Sequence, residues 1–299
     1  MRLVDPADVV VEGFRPGVMA RLGLDAATLR ARRPDLVYVS ISAFGQTRPM
    51  ADVAGHDLSI QGVAGLLDIE RGEEDGSVMP RLPLAEMASG TFAALGIVVA
   101  LLSRASTGRG ATVDVSMLDC LVSWMAPFIV PALNGMTPAP LPPRDPAYGL
   151  FATADHQQIT ISIAGEDHIW RELCAILDLG DLAELEERER VADAAGVQAR
   201  LRAAVARYDL AWLTRHLEAR KITFGPVCGA HGISEHAQVI ARGIIQSVTT
   251  MDGLQRHYVR QPLLLDGDGG AIKCAAPRLG QHTEKLLAEL AAPPAATRS

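Results

Sequence analysis

Residues 7–42 read ADVVVEGFRPGVMARLGLDAATLRARRPDLVYVSIS, and this stretch decides the fold class. The β-branched run at residues 8–12 and the apolar run at residues 36–42 are typical of strands buried in a parallel sheet. Between them, residues 13–17 carry turn chemistry and residues 18–34 predict one helix that ends at its last residue, a proline. A strand, a helix and a second strand in this order indicate a βαβ unit of an open, Rossmann-like α/β sheet.

Proline content and periodicity divide the rest of the chain into two domains. A small-residue helix is predicted at about residues 86–104, and the GRGATVDVSMLD segment after it predicts a turn and another strand. The proline-rich stretch at residues 131–147 has no periodicity and predicts an extended linker. We therefore predict a large α/β domain at residues 1–130 and a small α+β domain at residues 148–275.

The small domain is expected to begin with a β-hairpin. Residues 148–164 alternate between apolar and polar side chains as paired strands do, and helices follow to about residue 219. Two further strands are predicted at residues 243–249 and 258–265. The segment at residues 277–290 starts with proline and glycine turn residues and then predicts a helix.

Composition and charge argue against several classes of protein. Hydrophobic residues make up 48% of the 299-residue chain and charged residues 21%, which is close to the average for soluble globular proteins. The formal net charge of -7 argues against nucleic acid and against a membrane surface as partners, because both are polyanions. The apolar stretch at residues 88–102 is too short for a membrane-spanning helix and predicts a buried one.

Cysteine usage and the first residues favour the cytoplasm. The four cysteines are scattered and form no CxxC pair, so neither a metal site nor a disulfide framework is predicted. The chain starts MRLVDPADVVVEGF, which carries acidic side chains and no basic segment ahead of an apolar run, so no signal peptide is indicated. A reducing cytoplasm is the simplest compartment for such a chain.

Six separated stretches carry a resemblance to a known family. They are ADVVVEGFRPG (residues 7–17), LVYVSISAFGQTRP (36–49), AGHDLSIQGVAGLL (54–67), PLAEMASGTFAALGIVVALLSR (83–104), TGRGATVDVSMLD (107–119) and PRLGQHT (277–283). Together, and in this order, they resemble the family III CoA-transferases, a group that also includes the α-methylacyl-CoA racemases. The resemblance implies a coenzyme A thioester as substrate, no tightly bound cofactor, and a last segment, residues 276–299, that returns to the large domain.

The sequence departs from the family pattern in two places that bear on activity. Family members carry a further strand and helix ahead of ADVVVE, so the resemblance implies either a misassigned start codon or an N-terminally truncated chain without the first part of the CoA-binding domain. Glu86 stands where the family places its catalytic aspartate. Glutamate has the same functional group on one more methylene, and a displacement of about 1 Å can cost roughly 100-fold in rate.

Glu86 is the predicted nucleophile. In the transferases that this chain resembles, a carboxylate attacks the thioester, forms a mixed anhydride and is then converted into an enzyme-bound CoA thioester. Backbone N–H groups at the start of the predicted helix would stabilise an oxyanion near Glu86. The alternative is that Glu86 only complements the helix dipole.

His56 supports a rival mechanism. It lies in Gly55-His56-Asp57, the version of the motif that the racemases carry, and a histidine facing Glu86 would supply the acid and base that racemisation needs. Glu166 lies where the racemases place another carboxylate. Both residues also have structural alternatives: a hydrogen-bonded loop histidine and an acid that complements a helix dipole.

The CoA groove is predicted around the turns of the large domain. Arg15 is a candidate phosphate ligand, because a guanidinium group can pair with phosphate in a bidentate way. By analogy with the family, the residues expected to line the groove are Ala43, Phe44, Gly45, Gly55 and Asp57. The sequence contains no dinucleotide-binding, P-loop, serine-hydrolase or zinc-protease motif.

Three hypotheses for the function follow. The first is an acyl-CoA:carboxylate CoA-transferase, whose partners are an acyl-CoA and a carboxylic acid acceptor. The alternatives are an α-methylacyl-CoA racemase or epimerase and a non-catalytic, truncated family member. The resemblance also implies an interlocked homodimer in which each chain threads through the other.

Overall fold

The structure is a computed structural model that describes residues 1–47, 49–69, 80–136 and 145–291. The chain divides into two compact units, Met1–Pro138 with Thr283–Ser299 and Ala139–His282. The first unit contains a parallel sheet and the second contains antiparallel sheets, each together with helices. The predicted fold class, α/β with a parallel sheet and a further α+β part, is confirmed.

The first unit has three strands and eight helices among its described residues. The strands are β1 (Val9–Glu12), β2 (Val37–Ser42) and β3 (Thr112–Ser116). The helices are α1 (Val18–Arg21), α2 (Ala26–Arg32), α3 (Asp57–Val63), α4 (Leu66–Ile69), α5 (Leu84–Thr107), α6 (Met117–Trp124), α7 (Ala126–Leu133) and the last helix of the chain, α13 (Thr283–Ala291).

Strand β2 is the centre of the parallel sheet. Val9 in β1 pairs with Val37, and Thr112 in β3 pairs with Tyr38 on the other side, which gives the order β1-β2-β3. Because β2 is buried on both faces, its apolar run is continuous and does not alternate. The two strands predicted in the opening stretch of the sequence are each confirmed to within one residue.

The single helix predicted at residues 18–34 is wrong, because this segment forms two helices, α1 and α2. Gly23 has a φ of +67°, a conformation that ends the first of them. Asp25 then caps α2, and its carboxylate accepts a hydrogen bond from the Thr28 N–H at 3.0 Å. The glycine and the capping aspartate outweigh the helical propensity of the residues around them.

Helix α5 packs through small side chains and leaves its other side exposed. Its buried residues are Ala85, Ala88, Ser89, Ala93 and Ala100. The large apolar residues that are more than half exposed include Leu95, Val98, Val99 and Leu102. The prediction of a buried helix is therefore wrong for one face. Among the described residues α5 is the one helix long and apolar enough to cross a membrane, a test that core helices also pass.

The second unit combines short antiparallel strands with helices. Its strands are β4 (Tyr148–Ala152), β5 (Gln158–Ser162), β6 (Phe224–Pro226), β7 (Ile245–Thr249) and β8 (Gln255–Val259). Its helices are α8 (Asp167–Leu177), α9 (Glu187–Ala192), α10 (Ala194–Val205), α11 (Leu210–Ala219) and α12 (Ala237–Arg242), with 3₁₀ turns at Gly180–Leu182 and Gly232–Glu235. The side chains of Phe151, Ile159 and Trp170 lie in its core.

The predicted hairpin is present, and the strand predicted at residues 243–249 is β7, which begins two residues later. β4 and β5 pair antiparallel, with Tyr148 opposite Ser162. β6 was not predicted, because three residues that include a glycine and a proline carry no strand pattern. β8 begins three residues earlier and ends six residues earlier than the predicted strand at residues 258–265. Its polar residues pair with β7, whereas the apolar run at residues 262–265 forms no continuous strand.

The predicted linker and C-terminal segment differ in their bounds from the structure. Residues 131–133 belong to α7, and residues 137–144 lie outside the described residues. Residues 277–282 belong to the second unit, whereas α13 belongs to the first. The Arg2 side chain donates a hydrogen bond from Nη1 to the Leu290 carbonyl oxygen at 3.0 Å, which ties α13 to the start of the chain.

Candidate active site

A cavity of about 390 Å³ lies at the carboxyl ends of the three parallel strands. Its wall includes residues that follow each strand: Gly13 and Phe14 after β1, Ala43 and Phe44 after β2, and Met117 after β3. Open α/β sheets bind their ligands at this edge. The volume falls within the range of small-molecule sites. The cavity is therefore the candidate active site of the first unit.

The turn after β1 brings Arg15 to the cavity wall. Glu12 is buried at the end of β1, and its Oε2 accepts a hydrogen bond from the Phe14 N–H at 2.8 Å, which fixes the start of the turn. Arg15 is exposed and lines the cavity. Among the described residues its side chain has no hydrogen bond or ion pair to another protein group, while its carbonyl oxygen accepts a hydrogen bond from the Val18 N–H at 3.1 Å. Its guanidinium group is therefore available to an anionic ligand.

The wall after β2 depends on two glycines. Gly45 has a φ of +82°, a backbone conformation that glycine adopts without strain. At Gly55 an added Cβ atom would lie 2.7 Å from the Ala43 Cβ and 3.3 Å from a ring carbon of Phe44. Only glycine permits this approach, through which Ala43, Phe44 and Gly55 line the cavity together.

Glu86 lines the cavity from the N-terminus of α5. The N-terminus of α3 lies beside it, and the Asp57 Oδ1 atom accepts a hydrogen bond from the Ala85 N–H at 2.6 Å. The carboxyl groups of Asp57 and Glu86 also interact, and each changes the pKa of the other. One turn further along α5, Ser89 also lines the cavity, and its hydroxyl donates to the Glu86 carbonyl oxygen at 3.0 Å.

The two carboxyl groups have pKa values shifted in opposite directions. Partial burial and the hydrogen bond with Asp57 raise the pKa of Glu86. Burial also pushes the pKa of Asp57 upward, but hydrogen bonds with Glu86, the Ala85 backbone and Gln61 outweigh it and lower that pKa. Two adjacent carboxyl groups ionise together only at a cost, so Glu86 is the one that holds a proton longer as pH rises.

The structure places five of the nine predicted site residues on the cavity wall. They are Arg15, Ala43, Phe44, Gly55 and Glu86. Gly45 and Asp57 support the wall without lining it. His56 is exposed at the N-cap of α3, where its side chain makes no capping hydrogen bond. Glu166 lies in the second unit, and its Oε2 accepts a hydrogen bond from the Ala164 N–H at 2.6 Å.

Sequence reasoning missed several residues of this site. Ser42 and Met117 line the cavity, and a usable signal existed for both, because each lies at or just after the carboxyl end of a strand. Gln61 is fully buried and donates a hydrogen bond from Nε2 to the Asp57 carboxylate. No local pattern marks Gln61, since its role depends on how α3 packs against the start of α5.

Comparison with known families matches CoA-transferase family III over residues 1–283. The chain belongs to this family. The succinate–glutarate CoA-transferase of Agrobacterium fabrum is 32% identical over 298 residues, which cover 97% of this chain and 74% of that protein. The acetyl-CoA:oxalate CoA-transferase of Acetobacter aceti is 29% identical over 306 residues, which cover 99% of this chain and 77% of that protein.

Solved structures agree with this assignment. A crystal structure of a CaiB/BaiF family protein from Brucella suis matches with a TM-score of 0.85 and 28% identity, and covers 97% of this chain and 77% of that one. The structure of Rv3272 from Mycobacterium tuberculosis matches with a TM-score of 0.79 and 28% identity, over 94% and 77% of the two chains. The resemblance given by the six motifs is confirmed, and the protein is a family III CoA-transferase. The roles of its individual residues stay predictions.

Proposed function

We propose that this CoA-transferase moves coenzyme A from an acyl-CoA thioester to a free carboxylic acid, with Glu86 as the nucleophile. One observation carries the proposal: Glu86 lines the cavity at the carboxyl edge of the sheet, in the first turn of α5. The aligned peptide dipoles of a helix place partial positive charge at its N-terminus and favour negative charge that develops beside it. A carboxylate there is suited to attack a thioester whose carbonyl oxygen becomes an oxyanion.

The proposed exchange takes place in four steps. The Glu86 carboxylate adds to the thioester carbonyl carbon, the C–S bond breaks, and coenzyme A leaves as a thiolate from a mixed anhydride. The thiolate attacks the glutamyl carbonyl carbon, which releases the first carboxylate and leaves a CoA thioester on Glu86. The acceptor carboxylate attacks the glutamyl carbonyl carbon of this thioester, the C–S bond breaks, and a second mixed anhydride and the CoA thiolate are formed. The thiolate then takes the acceptor's acyl group, which regenerates the Glu86 carboxylate.

Small dicarboxylic acids are the proposed acceptors. The names of the relatives include succinate and glutarate for the Agrobacterium fabrum protein, oxalate for the Acetobacter aceti protein, and mesaconate for a protein of Haloarcula marismortui. We extend this class to the present chain. A panel of these acids, each offered with succinyl-CoA and acetyl-CoA and compared with a long-chain monocarboxylic acid, tests the extension. Transfer to the monocarboxylic acid alone would contradict it.

Trapping of a covalent intermediate tests the nucleophile. Incubation with an acyl-CoA should leave an anhydride or CoA thioester on Glu86, which hydroxylamine intercepts and mass spectrometry localises. Glu86→Gln should abolish the adduct, because an amide is a far poorer nucleophile. Glu86→Asp keeps a carboxylate and should still form it. Glu284→Gln removes an exposed acid from the first turn of α13 and should leave the adduct unchanged.

The same sample separates the other two hypotheses. A racemase would form no adduct but would exchange the α-hydrogen of a 2-methylacyl-CoA with deuterated solvent, and His56→Ala would suppress that exchange. The relatives reported above do not favour this alternative, since those with a named activity are named as CoA-transferases. Exchange without a trapped adduct would overturn the proposal. The absence of both the adduct and the exchange would favour the non-catalytic hypothesis.

We also propose that the protein is a cytoplasmic, interlocked homodimer. The resemblance to the family supports this, and so does the exposed apolar side of α5, because contiguous exposed apolar patches mark interfaces. Light scattering at micromolar concentration should give the mass of a dimer. A stable monomer would contradict the proposal, and Leu102→Lys should weaken self-association if this side of α5 lies in the interface.

A further inference from the structure

The helix that carries Glu86 has no capping side chain of its own. Pro83 occupies the N-cap position of α5 and offers no hydrogen-bond acceptor on its side chain. The first N–H groups of a helix lack partners within the helix and need acceptors from elsewhere. Here the acceptor comes from another helix, because the Asp57 Oδ1 atom lies 2.6 Å from the Ala85 nitrogen. Asp57 therefore caps α5 from the N-terminus of α3.

Gln61 holds Asp57 in this position. The two residues are four positions apart on α3 and so lie on the same face of that helix. The Gln61 Nε2 group donates to the second oxygen of Asp57 and, at 3.1 Å, to the Leu82 carbonyl oxygen. The Gln61 side chain is completely buried, and its Oε1 atom has no hydrogen-bond partner among the described residues. The two hydrogen bonds that Nε2 donates, to Asp57 and to Leu82, therefore orient the buried amide.

This arrangement fixes the turn immediately before Glu86. Leu82 and Ala85 are both tied to α3, one through Gln61 and the other through Asp57. The Asp57 carboxyl is also a neighbouring charge that raises the pKa of Glu86. One side chain thus holds the backbone before the predicted nucleophile and acts on the ionisation of its carboxyl group.

We propose that Asp57, held by Gln61, is a positioning residue for Glu86 that fixes the carboxyl group at the cavity wall and keeps a negative charge beside it. This inference rests on the proposed function, in which Glu86 is the nucleophile. It replaces the expectation that Asp57 lines the CoA groove. A carboxylate with a negative neighbour is the stronger base, and hence the stronger nucleophile once its proton has left.

Other titratable groups lie on the elements that pack against α5. They are Tyr38 in β2, Asp114 in β3, Asp119 and Cys120 in α6, and Arg15 elsewhere on the cavity wall. Asp57 is distinguished from them because it is the charged side chain among the main causes of the raised pKa of Glu86. Its removal should therefore change the pH at which Glu86 ionises.

Asp57→Asn is the decisive variant, because it keeps an oxygen for the Ala85 N–H while it removes the charge. The acidic limb of the pH–kcat profile should move to lower pH, and the plateau kcat should fall with little change in the KM for acyl-CoA. Asp57→Ala also removes the cap, so its kcat should fall further, by about 100-fold, as expected for a misplaced catalytic group. A raised KM with an unmoved acidic limb would overturn the proposal and favour a CoA-binding role.

A matched control comes from the same unit. Asp25 caps α2, far along the chain from the cavity residues of α5, so Asp25→Ala removes a helix cap of the same kind. It should lower the melting temperature without a shift of the acidic limb. If Asp25→Ala shifts the limb as much as Asp57→Ala does, the effect is a general loss of stability and the proposal fails.

A readout without turnover separates this inference from the proposed function. In protein labelled with ¹³C-glutamate, the Glu86 carboxyl resonance is the one that disappears in Glu86→Gln, and its titration midpoint is measured by NMR. The midpoint should be lower in Asp57→Asn than in the wild type, even if no acyl transfer is found. Equal midpoints would overturn the inference while an intact covalent adduct still supported the proposed function.

Discussion

Arg190 and Asp145 form an ion pair inside the second unit, with Nη2 and Oδ2 2.6 Å apart and with at most 1% of either side chain exposed. The Asp145 Oδ1 atom also accepts a hydrogen bond from the Ala147 N–H at 2.9 Å. The guanidinium group lies 4.9 Å from the centre of the Trp170 ring. The pair therefore connects the chain just before β4 with α9 and with the core.

Arg190→Met should lower the free energy of unfolding by about 3–5 kcal/mol, because it leaves the Asp145 carboxylate buried without its partner. Urea unfolding followed by circular dichroism measures the change. The double variant Arg190→Met/Asp145→Asn should be more stable than Arg190→Met alone, since the charge that remains without its partner is that of Asp167, which is partly exposed, and no fully buried charge is left unpaired. Equal stability of the single and double variants would show that the unpaired charge is not the cause of the loss.

Gly110→Ala should be much more destabilising than Gly108→Ala, although both glycines lie in the same turn. A Cβ atom at Gly110 would lie 2.0 Å from the Leu36 carbonyl oxygen, so the backbone before β2 would have to move, at a cost of about 3 kcal/mol. At Gly108, with a φ of +69°, a Cβ atom meets no atom of the described residues within 4 Å, and the cost is that of a left-handed conformation, about 1–2 kcal/mol. Thermal unfolding of the two variants compares them, and a similar loss in both would contradict the close contact.

Strands β1 and β2 of the parallel sheet were predictable because each carries a continuous apolar run; β2 is buried on both faces, whereas Val11 of β1 is exposed. β1 and β2 each carry such a run, and both lie within one residue of their predicted bounds. The break between α1 and α2 was visible only as an isolated glycine and a capping aspartate, which local propensity alone did not weigh correctly. β6 gave no signal, because it exists only through its pairing with β5.

The sequence predicted those residues of the candidate site whose side chain alone, at one position, suggests a chemical role. Glu86 at the start of a helix and Arg15 in a turn are of this kind, and both line the cavity. The bond between Asp57 and the Ala85 N–H joins residues 28 positions apart, and the buried Gln61 acts through it. These hydrogen bonds depend on the packing of α3 against α5, and the periodicity of the sequence does not predict which helices pack together.

Glu86→Gln should stabilise the protein modestly at neutral pH and should give no such gain near pH 4. A carboxyl whose pKa is raised by folding contributes stability below its unfolded pKa and loses it as pH rises through the folded pKa. Glutamine does not titrate, so the difference between variant and wild type should grow as pH rises from about 4. Melting temperatures measured across this range test the prediction. The effect is modest because the Glu86 residue keeps a large exposed surface despite the partial desolvation of its carboxyl group, so solvent screens its charge.

Glu284→Gln is the control for this pH dependence. Glu284 is an exposed acid in the first turn of α13, where its charge complements the helix dipole. Its loss should therefore lower stability at neutral pH, by about 0.3–1 kcal/mol, which is the opposite sign. If both variants destabilise the protein at neutral pH, the favourable interaction of ionised Glu86 with the helix dipole is larger than the unfavourable effects of its burial and of the Asp57 charge.

Arg15→Gln should raise the KM for acyl-CoA by about 10- to 100-fold, the loss expected when a hydrogen bond to a charged group is removed. The reason is that Arg15 is exposed on the cavity wall and has no ion pair to another described residue. An acyl-pantetheine substrate, which lacks the phosphates, should react equally well with variant and wild type. Arg21→Gln removes a basic side chain at the end of α1, outside the cavity wall, and should leave both KM values unchanged. If Arg15→Gln impairs the pantetheine ester as much as the CoA ester, the arginine does not bind a phosphate and instead supports the turn after β1.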